Sequence, residues 1–175
     1  EEMDRGAAVD NTIAAVLLEA LREIENDEVR SACAVALGLM RFQPAIPVIT
    51  RLAEKYDRRD QLAGYLCLSL GMIGDRSALP TITSALAKAD FQPIVMAQAA
   101  IAHALIDPVA AGDVLAALFR ERNTSLGRLV GLASAFRYVG DRRAIPALLA
   151  MIGDKDTPEL SRAFLVAAIG GVSDR

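Results

Sequence analysis

The chain alternates between apolar stretches with helical spacing and short polar stretches, and the alternation recurs about every 33 residues. In one such stretch Val29, Cys33, Ala36 and Met40 lie three or four positions apart, which is the spacing of one face of an α-helix. Polar or proline-containing segments separate the stretches. No stretch alternates apolar and polar residues in the manner of a half-buried strand. The pattern therefore predicts ten helices and no β-sheet.

One motif marks the repeat. The segment 70–80 reads LGMIGDRSALP, a helical run followed by a Gly-Asp turn and by a second helix with proline in its first turn. Related segments lie at 37–47, 139–146 and 169–175, and a weaker copy lies at 105–110. Repeats of this length are typical of stacked helical arrays, in which each unit contacts its neighbours.

The repeats also define the predicted domain. Residues 1–9 have no strong pattern and are expected to form an N-terminal tail, and residues 10–175 to form a single domain. The chain begins without methionine, and its last segment repeats only the first half of the motif. We therefore expect a fragment of a longer array. The last helix has apolar residues on every side, so the alternative is self-association through a C-terminal face that contains Leu165, Ile169 and Val172.

Two kinds of position are assigned to the interior. Gly38, Gly71 and Gly170 occupy one position of the repeat, where they are expected to end helices or to let two helices approach closely. The helical pattern predicts a core that includes Leu37, Leu66, Leu70, Ile73, Leu79, Ile82, Leu132, Phe136 and Ile145.

The segments 29–38 (VRSACAVALG) and 140–149 (GDRRAIPALL) resemble HEAT-like repeats, most closely the short type named after phycobilisome lyases. The resemblance covers residues 11–175. It implies an all-α fold, a right-handed α-solenoid of about five helical hairpins with a repeat of about 33 residues. The first helix of each hairpin would line the convex side and the second helix the concave side. Proteins of this kind serve mostly as interaction scaffolds and usually bind on the concave side.

Three classes of enzyme contain HEAT-like repeats, and each requires residues that can be looked for in this sequence. Di-iron hydroxylases need several His-Glu motifs, and they are excluded because the chain has one histidine, His103, followed by alanine. Alkylpurine DNA glycosylases use a basic, tryptophan-containing surface, whereas this chain has no tryptophan and a net charge of −3. Bilin lyases share the repeat type most closely, but none of their catalytic residues can be matched here. His103 is expected to fill space at a helix contact, and the alternative is a lone metal ligand or general base.

Composition restricts the remaining possibilities. Twenty-two acidic residues against 19 basic ones provide no electrostatic argument for nucleic acid, and no apolar run approaches the roughly 18 residues of a membrane span. Cys33 and Cys67 lie in apolar helical runs and are expected to be buried thiols. No metal-ligand spacing, phosphate-binding loop or catalytic motif is present, so no metal, cofactor or catalytic residue is predicted. The N-terminal segment lacks the features of a signal peptide, which favours the cytoplasm.

The predicted function is therefore a non-enzymatic scaffold that binds a protein or a peptide. The alternative is a helical accessory domain of a larger enzyme whose catalytic part lies outside this chain. If Ile49 and Ala53 face the core, helical geometry turns Arg51 and Glu54 outward. The same alignment, carried to the later units, predicts a concave contact surface made of Arg51, Glu54, Lys55, Ser84, Lys88, Leu115, Phe119 and Arg120. Phe119, as an exposed aromatic residue beside an arginine, is its predicted hot spot.

Overall fold

The computed structural model describes residues 2–119, 125–140, 142 and 145–173, without the side chains of residues 2–9, 147 and 173. These parts of the chain contain ten α-helices and no β-strand, as predicted. The helices are α1 (Glu2–Glu23), α2 (Asp27–Leu39), α3 (Ile46–Lys55), α4 (Asp60–Ile73), α5 (Leu79–Lys88), α6 (Pro93–Ile106), α7 (Pro108–Phe119), α8 (Leu126–Val139), α9 (Ile145–Gly153) and α10 (Glu159–Ser173). Short 3₁₀ turns at Gln43–Ala45 and Arg76–Ala78 precede α3 and α5.

The N-terminal residues differ from the prediction. We expected a tail at 1–9 and a helix that begins at Asn11, but α1 already begins at Glu2. Residues 2–9 include Glu, Met and two Ala, which favour helix, and no proline interrupts them. The apolar periodicity that suggested a later start depends on side chains, whereas a helix forms through backbone hydrogen bonds and can extend beyond the periodic stretch.

The even-numbered helices α2 to α10, here called the first helices, follow a strict period. They are equally spaced in the sequence, and their first residues are Asp27, Asp60, Pro93, Leu126 and Glu159. The odd-numbered helices α3 to α9, here called the second helices, do not all keep this period. In particular, the step from α5 to α7 is shorter than the period by about one helical turn. The variation in loop length therefore lies within the units, before the second helix.

Packing follows the order of the chain. Each first helix packs extensively against the next one, from α2 through α4, α6 and α8 to α10. The second helices α3 and α5 pack mainly against the first helix that follows them, whereas α7 packs about equally against α6 and α8. The core lies between these two sets of helices. Of the predicted core, Leu37, Leu66, Leu70, Ile73, Ile82, Leu132 and Phe136 are buried, whereas Leu79 and Ile145 are only half-buried because they are the first residues of α5 and α9.

Glycine lets the first helices approach each other. A Cβ atom on Gly71 would lie 2.4 Å from the Cα of Ala102, so α4 and α6 are in backbone contact at this point. A Cβ on Gly38 would lie 3.1 Å from the Ser69 Cα of α4, whereas no atom of the described residues lies within 4 Å of the corresponding point at Gly170. None of the three ends its helix. The end of α4 falls instead at Gly74, whose φ of +84° is readily adopted by glycine.

Candidate interaction surfaces

Five of the predicted contact residues lie exposed on two consecutive second helices. Arg51, Glu54 and Lys55 are on α3, and Ser84 and Lys88 are on α5. Glu54, Ser84 and Lys88 line one groove of about 160 Å³ between these helices. The groove contains both an acidic and a basic side chain, and its other lining residues are Ala53, Asp57, Pro80, Thr81 and Ala85. Of the predicted contact residues, Glu54, Ser84 and Lys88 therefore lie on one groove.

The prediction is wrong for Leu115 and Phe119. Both are buried, Phe119 with 2% of its surface exposed and its ring stacked on Phe136 at a centroid distance of 5.7 Å. Arg120 lies outside the described residues. The predicted contact surface therefore does not extend to α7 through these side chains.

The early start of α7 explains the error. The alignment behind the prediction assumed a nearly constant repeat, but α7 begins about one helical turn before the position that the period assigns to it. Three exposed residues of α7 instead match exposed residues of α3 when the two helices are counted from their own first residues. On this count Val109, Asp113 and Ala117 correspond to the exposed Pro47, Arg51 and Lys55.

The predicted C-terminal face also needs correction. Leu165 and Val172 are fully buried because α10 packs against both α8 and α9, and Ile169 is half-buried. The exposed large apolar residues of α10 are Leu160 and Val166. An apolar surface at this end of the described chain therefore involves different side chains from those predicted.

The first helices carry an apolar stripe that sequence reasoning missed. Leu39 on α2, Leu105 on α6 and Tyr138 on α8 are 71%, 54% and 51% exposed. Met72, at the corresponding position of α4, is half-buried. These four residues are equally spaced in the sequence, so they occupy the same place on successive first helices. The sequence signal was available, because α6 contains only two polar residues, Gln98 and His103, and so has no fully polar face.

A larger groove lies between the first turns of α2 and α4. It has a volume of about 660 Å³. Its apolar lining consists of Ala32, Val35, Leu62 and Tyr65, and its polar lining of Asp27, Glu28, Ser31, Arg59, Asp60 and Gln61. Asn26 caps α2 beside the groove by accepting a hydrogen bond from the Val29 N–H at 3.0 Å. No residue of this groove was predicted as a contact residue.

A cluster of charges surrounds one tyrosine next to this groove. Arg59 donates from Nη1 to both carboxylate oxygens of Asp27, at 2.6 and 2.8 Å, and its guanidinium lies 4.7 Å from the ring centre of Tyr56. Arg30 and Lys55 also lie over that ring, each at 5.0 Å. A hydrogen bond from Lys55, together with the charges of Arg30 and Lys55, holds the pKa of Tyr56 below its ordinary value. The basic side chains of the cluster therefore already have partners within the chain.

The remaining chemical groups are buried. His103 is only 3% exposed, as a space-filling residue would be, and its Nδ1 has no hydrogen-bond partner among the residues that the structure describes. Cys33 and Cys67 are buried thiols, as predicted, and burial raises the pKa of Cys67 to about 12. Among the described residues, no three His, Cys, Asp or Glu side chains are grouped so that they could hold a metal ion. No described helix combines the length and apolarity needed to cross a membrane.

Comparison with known proteins finds no family model that matches the chain and no matching curated sequence. The likeness to HEAT-like repeats therefore depends on the sequence of the segments 29–38 and 140–149.

Proposed function

We propose that the protein is a right-handed α-solenoid of about five HEAT-like helical hairpins, and that it acts as a non-enzymatic scaffold for a protein or peptide. The residues that precede the first helices support the repeat architecture. Asn26, Arg59, Gln92 and Ser125 each stand immediately before a first helix and recur with the same period as those helices.

Two of these residues make the same contact with the preceding unit. Gln92 Nε2 donates to the backbone carbonyl of Asp57 at 3.0 Å, and Ser125 Oγ donates to that of Asp90 at 2.8 Å. The donor and the acceptor are the same distance apart in the sequence in both contacts, and the two contacts are one repeat apart. Arg59 makes a related contact with Asp27. Such contacts set the orientation of one unit on the next, which is the requirement for a regular array.

The observation that carries the binding proposal is the groove between α3 and α5. Residues from two consecutive units, Glu54 on α3 with Ser84 and Lys88 on α5, line it together, and Arg51 and Lys55 are exposed on α3. In a HEAT-like array these second helices form the concave side. Polar side chains of both charges on adjacent helices suit a peptide backbone and its charged side chains, because each can offer a donor or an acceptor.

The proposal is tested by photo-crosslinking in an extract of the source cell. A photoreactive residue at position 84 is expected to capture a defined partner, and the double variant Glu54→Lys, Lys88→Glu is expected to lose most of that adduct. Lys155→Glu changes one exposed charge in the segment after α9 and is expected to leave the adduct unchanged. The same adducts from photoreactive residues at positions 84 and 155, or an adduct that survives the double reversal, would refute binding at this groove.

A further inference from the structure

We propose that the groove between the first turns of α2 and α4 binds a basic, apolar peptide segment of a partner protein. This groove is formed by first helices, whereas the site proposed above is formed by second helices. The two proposals therefore concern different surfaces and are tested independently.

The groove lies toward the N-terminal ends of α2 and α4, and these helices approach closely near their C-terminal ends. There Gly38 lies against Ser69, close enough that an added Cβ would be 3.1 Å from the Ser69 Cα. In the next pair of first helices, the side chain of Gln98 on α6 lies over Gly64 of α4, where an added Cβ would be 2.4 Å from the Gln98 Oε1. The residue of α2 that corresponds to Gly64 is Ser31, because each is the fifth residue of its helix. Where α4 has glycine, α2 therefore has a side chain, and Ser31 lines the groove.

Most of the apolar part of the lining is accessible. Ala32 is exposed, and Val35 and Tyr65 are half-buried. The apolar surface continues along α2 to Leu39, the most exposed apolar residue of that helix. Covering such a surface removes apolar area from water, and contiguous exposed apolar residues on a folded chain commonly mark a contact.

The charges at the groove favour a cation. Asp27, Glu28 and Asp60 contribute three carboxylates to the described lining. The charge of Asp27 is neutralised by Arg59, the base of that lining, so Glu28 and Asp60 remain. Arg59 is bound to Asp27 and stacked on Tyr56, so it offers little to an anionic ligand. Glu28 is exposed at the rim, and Asp60 uses one oxygen to accept the Val95 N–H at 3.3 Å. A lysine or arginine of the peptide would meet these carboxylates while a neighbouring apolar side chain lies on Val35 and Tyr65.

The test uses fluorescence anisotropy with three labelled peptides. The first probe is fluorescein-Gly-(Leu-Lys-Ser)₃-amide, the second has glutamate in place of each lysine, and the third has serine in place of each leucine. The first probe is expected to bind the protein at least about tenfold more tightly than either of the others, since it alone combines both features. Equal binding of the lysine and glutamate probes would overturn the charge argument, and equal binding of the leucine and serine probes would overturn the apolar one.

Variants then locate the site. Glu28→Lys is expected to weaken binding of the first probe about tenfold, and Tyr65→Ser about fivefold through the lost apolar contact. Glu159→Lys is the matched control, because it makes the same charge change in the exposed first turn of another first helix, α10. Far-UV circular dichroism verifies that each variant is folded. If Glu28→Lys and Glu159→Lys bind the probe equally well, the groove between α2 and α4 is not its binding site.

Discussion

Replacing Gly71 by alanine is expected to destabilise the protein, although alanine is the better helix former. Gly71 lies inside α4, where it faces the backbone of α6. An added Cβ would come within 2.4 Å of the Ala102 Cα, 2.6 Å of its Cβ and 2.8 Å of its carbonyl oxygen. Carbon atoms in contact are normally about 3.5 Å apart or more, so the two helices would have to separate by about 1 Å.

The magnitude follows from two opposing effects. Alanine in place of glycine within a helix gains up to about 1 kcal/mol from propensity. Overpacking of a well-packed interface costs about 1–3 kcal/mol, and the upper part of that range applies here because two of the three nearest atoms are backbone atoms, which cannot rotate away. We therefore expect Gly71→Ala to lower the free energy of unfolding by about 1–2 kcal/mol.

The matched control is the same substitution at the corresponding position of the last unit. Gly170→Ala adds a methyl group where no atom of the described part of the chain lies within 4 Å, so only the propensity gain remains, about 0.5–1 kcal/mol of stabilisation. Gly38→Ala, with its nearest backbone atoms at 3.1 Å, should fall between the two. Urea denaturation followed by circular dichroism measures all three free energies of unfolding. A Gly71→Ala variant as stable as Gly170→Ala would refute the close contact of α4 and α6.

Two further predictions concern ionisable groups. Burial raises the pKa of Cys67 to about 12 and also raises the pKa of Cys33. Neither thiol should therefore react quickly with a disulfide reagent at pH 8 in the native protein, and both should react once the protein is unfolded. Rapid labelling of the native protein would contradict the burial. Hydrogen bonding to Ser77 lowers the pKa of Asp75, so its ionised form stabilises the folded chain above the ordinary carboxyl pKa of about 3.9, and this contribution is lost as the pH falls through the lower folded value. Asp75→Ala should therefore lower the free energy of unfolding at pH 7, and that free energy should fall less between pH 5 and pH 3 than it does in the unmodified protein. Urea denaturation measures both, with the exposed Asp113→Ala as control. Parallel pH profiles for Asp75→Ala and the unmodified protein would contradict this role.

Local patterns in the sequence were enough to predict the helices and most of the core. The spacing of apolar residues along one helix is enough to place Leu37, Leu66 and Leu70 on its buried face, because residues close in the sequence determine that face. The helical class and the regular recurrence of the first helices follow from the same periodicity. The repeat also indicated that Gly38 and Gly71 would permit close approach, but only the packing of α4 on α6 shows how near the backbones lie.

The tertiary structure alone decided which residues reach the surface of the later second helices and where a groove opens. The alignment with α3 predicted that Phe119 is exposed. The connection before α7 is shorter than that alignment assumed, so the residues of α7 face other directions, and Phe119 packs against Phe136. The groove beside Glu28 and Tyr65 depends on the separation of two helices that belong to different repeats. Periodicity along one helix determines which residues share a face. The rotation of that helix about its axis and its distance from its neighbours are set by contacts between helices, through the length of each connection and the size of the side chains between them.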